Sequence, residues 1–282
     1  MPDTQQLTAH ILAATDFGKQ GERAFHHALR LAVARQAHLT LLHTGPEGRK
    51  AVPWERYPGV RDTLLKWQLL GRGALRTDVW EQLGLDVKKM ALRDQDTYHG
   101  MLDYLRQHPT DLLVMDTGAG RGLARMRRTS LALAVAHSTH SHALLLPETA
   151  DDLVDPENGR RKLSKAMFVY QHQADPRLAL EWLNQWLPMF SEGQVELDLL
   201  YLGEENASPD IVLPANPAVK WQRIARSGPA LETIVAQAQA GGAELITMIN
   251  QPARGFTGRL RGGLGDQVLR RVGKPMLLLP GP

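Results

Sequence analysis

Residues 110–147 read TDLLVMDTGAGRGLARMRRTSLALAVAHSTHSHALLLP, and residues 243–280 read AELITMINQPARGFTGRLRGGLGDQVLRRVGKPMLLLP. The two stretches align without a gap at a constant offset of 133 residues. The shared positions are Leu112/Leu245, Met115/Met248, Arg121/Arg254, Gly122/Gly255, Arg128/Arg261, Leu131/Leu264, Val135/Val268 and the closing Leu-Leu-Leu-Pro. Solenoid repeats have periods of roughly 20–50 residues. An offset of 133 is the size of a domain, so the sequence reads as two copies of one fold joined head to tail.

Working outward from the first copy, HILAATD at 10–16 is a short apolar run of the kind that forms a buried parallel strand. Residues 21–36 follow with helical spacing, Ala24, Ala28, Leu29, Leu31 and Ala32 making one apolar face. HLTLLHT at 38–44 is a second strand, and the β–α–β order calls for a right-handed crossover in a parallel sheet. Residues 45–59 form a Gly/Pro loop, and 60–84 read as two short helices broken near Gly71 and Gly73. Residues 85–92 form a third strand, 98–108 a helix ending before Pro109, and 111–116 a fourth strand. A Gly-rich loop, a helix from about Ser130 and the strand HALLLP complete the copy.

The polar stretch DDLVDPENGRRK at 151–162 reads as a linker. The second copy then supplies strands at 165–171, 195–202, 219–226 and 244–249, and helices at 176–190 and 229–242. Only EENASPDIVLPANP separates its second strand from its third, so the crossover helix of copy one is expected to be missing. The predicted architecture is α/β: two doubly wound parallel five-stranded sheets in tandem. Its expected domains are 1–150 and 163–282.

Composition narrows the function classes. Cysteine is absent, which excludes disulfides and thiolate chemistry and agrees with a reducing cytoplasm as the expected compartment. No apolar run reaches the roughly 20 residues of a bilayer span. The start MPDTQQLTAH lacks the basic region and apolar stretch of a signal peptide. The formal net charge is +3, with arginines clustered at 121–128 and 254–271. No aromatic residue is interleaved with them, so they read as solvated faces, and nucleic acid is not the expected partner. The His137, His140, His142 cluster is metal-capable in type, but it lies at a helix end with no acid before Glu148 and reads as structural; no metal site is expected. His26 and His27 beside the first helix's apolar stripe read as packed or solvent-facing. Asp16 with Ser130 has no third catalytic partner, and neither a G-x-S-x-G elbow, a Walker A loop nor an HExxH pattern occurs. No catalytic residue is therefore assigned.

ILAATDF at 11–17, LTLLHT at 39–44, DLLVM at 111–115, GLAR at 122–125, Ser130 and the closing ALLLP together resemble the universal stress protein family in its tandem two-domain form. That resemblance implies strand order 3-2-1-4-5 in each copy and a fifth strand whose edge pairs with a partner, so in a pseudo-twofold tandem Ala143–Leu146 is expected to lie antiparallel to Met276–Leu279, covering two apolar edges that would otherwise aggregate. It also implies an ATP site with three parts. An acidic residue ends strand one, the end of strand two holds the adenosine, and a G-x2-G-x9-G-[ST] loop after strand four wraps the phosphates. Glycines there let main-chain N–H groups approach the anion. On this pattern the candidate binding residues are Asp16, Thr44, Gly118, Gly120, Gly122, Thr129 and Ser130. The loop departs from the family: Asp116, Ala119 and Thr129 stand where the three glycines belong. The second copy departs further, with Gln171 at the acidic position, Ile249 and Pro252 for the first two glycines, and Gly262-Gly263 at the end.

The resemblance thus implies a non-enzymatic stress-response protein with a degraded ATP loop, acting through a small-molecule or protein partner. The alternative is an ATP-binding signalling module using the N-terminal copy alone. A third reading, an ATP-dependent hydrolase or transferase, lacks a visible base. Further association into a homodimer is left open by the sequence. So is a ligand groove at the shortened crossover of copy two.

Overall fold

The structure is a computed structural model that describes residues 9–45, 54–55, 57–94, 96–118, 123–139, 141–171, 175–249 and 263–281, with Gln20 and 123–130 described as backbone only. The first half runs β1 (His10–Ala14), α1 (Lys19–Arg35), β2 (His38–Gly45), α2 (Val60–Lys66), α3 (Arg76–Leu83), β3 (Asp86–Arg93), α4 (Thr97–Gln107), β4 (Leu112–Asp116), α5 (Leu123–Ser138) and β5 (His142–Leu146). The second half runs β6 (Lys165–Tyr170), α6 (Arg177–Trp186), β7 (Val195–Leu202), β8 (Val219–Arg226), α7 (Ala230–Gly241), β9 (Leu245–Ile249), α8 (Leu264–Val272) and β10 (Met276–Leu279). The expected helix over 176–190 tightens into a 3₁₀ turn at Leu187–Phe190, where Pro188 cannot donate to the α-helical ladder.

The ten strands form one sheet in the order β3-β2-β1-β4-β5-β10-β9-β6-β7-β8. Each half therefore has the 3-2-1-4-5 order. All pairings within a half are parallel, and the halves meet in the antiparallel β5–β10 ladder, with Met276 opposite Leu145, Leu277 opposite Leu144 and Leu278 opposite Ala143. The predicted seam is thus the observed one, and it merges the two expected sheets into one. Leu144, Leu145, Leu146, Leu277, Leu278 and Leu279 are all buried.

Strand alternation divides the core into two layers that each run across both halves. One face carries α1, α2, α3 and α6, with Phe25, Leu29, Leu64, Leu180, Phe190, Leu144 and Leu277 among its buried residues. The other carries α4, α5, α7 and α8, with Leu105, Val135, Ile234, Leu269, Leu145 and Leu278. α1 is helical because its apolar residues recur on one stripe, and it ends at Gln36 in the left-handed region (φ 54°). α4 is capped by Asp96, whose carboxylate accepts the Tyr98 and His99 amides. One boundary differs from the sequence reading: α5 begins at Leu123, not about Ser130. The LARMRR segment is built of strong helix formers and extends the helix toward the loop.

Residues 151–162, expected as a linker, fold back against the first half. Leu153 and Val154 are buried. Trp67 donates its indole N–H to the Pro156 carbonyl (3.1 Å), and Arg30 Nε donates to that of Gly159 (2.8 Å). Gly159 sits at φ 70°, and a Cβ there would lie 2.6 Å from the Trp67 ring. In the second half, the β7–β8 connection carries only a 3₁₀ turn at Glu205–Ala207, so the crossover helix is missing as expected. Ile211 from that link is buried in the core, and Trp221 Nε1 donates to the Pro214 carbonyl (3.1 Å). Ile211 and, in part, Leu213 pack from this link against the core where a crossover helix would otherwise lie.

Candidate functional site

In a 3-2-1-4-5 sheet the chain leaves β1 toward one face and β4 toward the other, which opens a crevice at the carboxyl ends of these neighbouring strands. A cavity of about 230 Å³ lies there. Ala14, Leu42, Met101 and Met115 give it apolar walls, and Thr15, Asp16, Thr44 and Asp116 supply its polar groups.

Asp16 lies two residues beyond the end of β1 and is exposed, its Oδ1 accepting the Gly18 amide at 2.9 Å. The next residue, Phe17, has φ 61°, a conformation that costs a bulky side chain on the order of 1–3 kcal/mol. An aromatic cluster holds it there: its ring centroid lies 4.7 Å from His43, 4.8 Å from Trp54 and 5.4 Å from Tyr57. His43 donates from Nδ1 to the Thr15 carbonyl (2.9 Å), and Tyr57 donates its hydroxyl to the Gly21 carbonyl (2.7 Å). Burial raises the Tyr57 pKa, so this hydroxyl remains a donor. The turn that presents Asp16 is therefore pinned from both sides.

Thr44, the next-to-last residue of β2, lies in the cavity wall. Its side-chain hydroxyl is buried and has no hydrogen-bond partner among the described residues. Leaving such a group unsatisfied costs about 1–3 kcal/mol. A ligand atom in the cavity would remove that cost.

Asp116, at the end of β4, also lines the cavity, and its side chain is only 7% exposed. Its Oδ1 accepts the amide of Gly118, whose φ of 92° suits glycine. Its Oδ2 lies 3.9 Å from an Arg23 guanidinium nitrogen. Arg23 also pairs with Asp152 and donates to the carbonyls of Pro147 and Ala150. This arginine ties the cavity wall to the segment joining the two halves.

The structure thus brings Asp16, Thr44 and Gly118 into one cavity, and Thr129 and Ser130 lie within α5. Gly120 and Gly122 fall outside the described residues, as do the side chains of Thr129 and Ser130 and, in copy two, Pro252 and Gly262. In copy two, Ile249 ends β9 buried and Gly263 caps α8. Among the described residues the cavity presents two carboxylates and no lysine or arginine. Its described residues suit a ligand with hydroxyl or amine donors and a flat apolar body, such as a nucleoside, better than a polyphosphate.

The sequence reading missed Thr15 and Arg23, and it read His43, which flanks strand two, as a satisfied core or edge residue rather than part of the site. Thr15 and His43 are each adjacent to a named candidate, and the end of a strand brings both alternating faces to one rim. Arg23 sits mid-helix and has no sequence signal. The histidines at 137 and 142 go separate ways: His137 Nε2 meets Asp266 of α8 at 2.8 Å, and His142 stacks on Trp182 at 4.0 Å. His140 lies outside the described residues.

Comparison with known proteins agrees with this geometry. Residues 8–147 match the sequence model of the universal stress protein family, and through this half the chain belongs to that family. Its fold is similar over both halves to a universal stress protein from Archaeoglobus fulgidus (TM-score 0.63, 13% identity, covering 98% of this chain and 97% of the other). It is also similar to a putative universal stress protein from Pseudomonas aeruginosa (TM-score 0.62, 14% identity, 96% and 93%). The cytoplasmic domain of a prokaryotic cation chloride cotransporter shares the fold more distantly (TM-score 0.52, 10% identity, 96% and 94%). No curated protein matches the chain.

Proposed function

We propose that this universal stress protein is a non-enzymatic regulator in the stress response that works by binding a small nucleoside-like ligand in its N-terminal cavity, and that it passes this state to a protein partner in the cytoplasm. The observation that carries the reading is the buried, unpartnered Thr44 hydroxyl in the wall of a cavity that also holds Asp16. The second half serves as a structural partner that covers the β5 edge. No helix among the described residues is long and apolar enough to cross a membrane.

A second reading, ATP binding by the N-terminal half alone, is favoured by one contact. Arg23 lies 3.9 Å from Asp116, the carboxylate that stands where the family loop has its first glycine, and offsets part of its repulsion toward phosphate. Calorimetry with adenosine and with Mg²⁺·ATP, on wild type and Asp16→Ala, separates the two. The nucleoside reading expects adenosine to bind, ATP to bind no tighter, and both to be lost in the variant. ATP tighter than adenosine by more than about tenfold would favour the second reading. Heat from neither ligand would overturn both.

A further inference from the structure

The α2–α3 crossover is the part of copy one that copy two lacks, and it encloses a second cavity of about 630 Å³ against the edge strand β3. We infer that this cavity binds a small organic anion, a phosphate or carboxylate carried on an aromatic body.

Three cations line it: Arg61 from α2, Arg76 from α3 and Lys89 from β3. Two carboxylates line it too, and both are engaged. Asp62 pairs with Arg61 at 3.5 Å, and Asp86 meets His38 at 3.0 Å. Arg76 and Lys89 make no salt bridge among the described residues, while Lys89 Nζ lies 5.2 Å from the centre of the Trp54 ring. Burial and then the neighbouring Arg76 charge push the Lys89 pKa down, so the two cations hold each other at a cost that an anion between them would reverse.

Local sequence preference sharpens the point. Arg76 is the first residue of α3, where a cation opposes the helix dipole. Asp78 in the same turn caps the helix entrance, its carboxylate accepting the Leu75 amide at 2.6 Å, so the anion site is the cavity rather than the helix end. Trp80, 41% exposed on the same helix and in the same cavity wall, offers a flat apolar surface beside the cations. An exposed tryptophan at a charged cavity recognises an aromatic body better than a bare ion.

The test is calorimetric titration with phenyl phosphate and with inorganic phosphate, at low and high ionic strength. The proteins are wild type, Arg76→Ala, Lys89→Ala, Trp80→Ala and Asp16→Ala, each checked for an unchanged unfolding curve. Phenyl phosphate is expected to bind more tightly than inorganic phosphate, to weaken with added salt, and to lose about tenfold in affinity in each cation variant. Trp80→Ala should bring it down toward inorganic phosphate. Asp16→Ala should bind as wild type does, which keeps this cavity distinct from the N-terminal site. No binding up to about 10 mM at low salt overturns the inference. So does affinity unchanged by Arg76→Ala and Lys89→Ala, or affinity lost in Asp16→Ala.

Discussion

Leu144 lies opposite Leu277 in the antiparallel β5–β10 ladder, and the two are the same residue of the repeat, 133 positions apart. A residue paired with its own copy marks the pseudo-twofold axis, which passes between these two leucines. The repeat is thus closed on itself, as an isologous dimer interface would be. Both leucines are fully buried, so the strand edges that would otherwise template aggregation cover each other.

This pair should act as one unit. Leu144→Ala and Leu277→Ala are each expected to cost about 2–5 kcal/mol in urea unfolding. Because the side chains neighbour each other, the double variant should depart from the sum by more than about 0.5 kcal/mol. Strict additivity would mean that the seam is not one packed unit.

Thr44 separates stability from binding. Its buried hydroxyl has no partner among the described residues, so Thr44→Val should leave the unfolding free energy unchanged or slightly higher. Adenosine affinity, measured by calorimetry, should fall by about tenfold or more, the value of one hydrogen bond to a desolvated ligand. A variant that loses stability and keeps affinity would place the hydroxyl's partner inside the protein.

Arg23 is 12% exposed at its side chain, within 3.9 Å of Asp116 and paired with Asp152. Arg23→Met removes the cation that lies between the largely buried Asp116 and Asp152, together with its bonds to the Pro147 and Ala150 carbonyls, and should cost about 3–5 kcal/mol. Adding Asp116→Asn should recover part of that loss. Thermal unfolding of the single and double variants measures it, and a double variant weaker than Arg23→Met would break the link.

His27 makes stability depend on pH. Its Nδ1 donates to the Arg23 carbonyl (2.8 Å), and its Nε2 accepts the amides of Leu153 (3.0 Å) and Val154 (3.3 Å), a pattern open only to the neutral ring. Burial lowers its pKa from 6.5 to about 4, and Arg23 and His26 push the same way against Asp152. Between these values the unfolded chain binds the extra proton, so stability is full above about pH 6.5 and falls as pH drops toward 4. The slope is at most about 1.4 kcal/mol per pH unit per group. His142, also lowered to about 4 by burial, adds a second contribution in the same window. His27→Gln should be less stable at pH 7.5 yet lose less between pH 7.5 and 5 in urea titrations. An unchanged pH slope would assign the dependence elsewhere.

Much of this was legible in the chain because it is periodic. Apolar runs of strand length, the α1 stripe and the 133-residue offset give the elements and their order along the chain, and the family resemblance adds the β5–β10 pairing. Two of the site residues, Asp16 and Thr44, could be named from the family resemblance, and the doubly wound sheet brings them together because both lie at the carboxyl ends of neighbouring strands. The α5 start was misjudged by seven residues because a Gly-rich loop and a row of helix-forming arginines adjoin without a capping signal.

By itself, then, the sequence determined that two copies of one α/β fold follow each other, and that their Leu-Leu-Leu strands must cover one another. Those features follow from side-chain periodicity and from the cost of exposing apolar edges, which local order already encodes. Only the tertiary structure decided that residues 151–162 clasp the first half, that Arg23 joins Asp116 to that clasp, and that Arg76 and Lys89 share a cavity with Trp80. Those partners lie far apart in the chain or on different elements, and no spacing rule links them. Their meeting is fixed by where the packed helices and strands place their side chains.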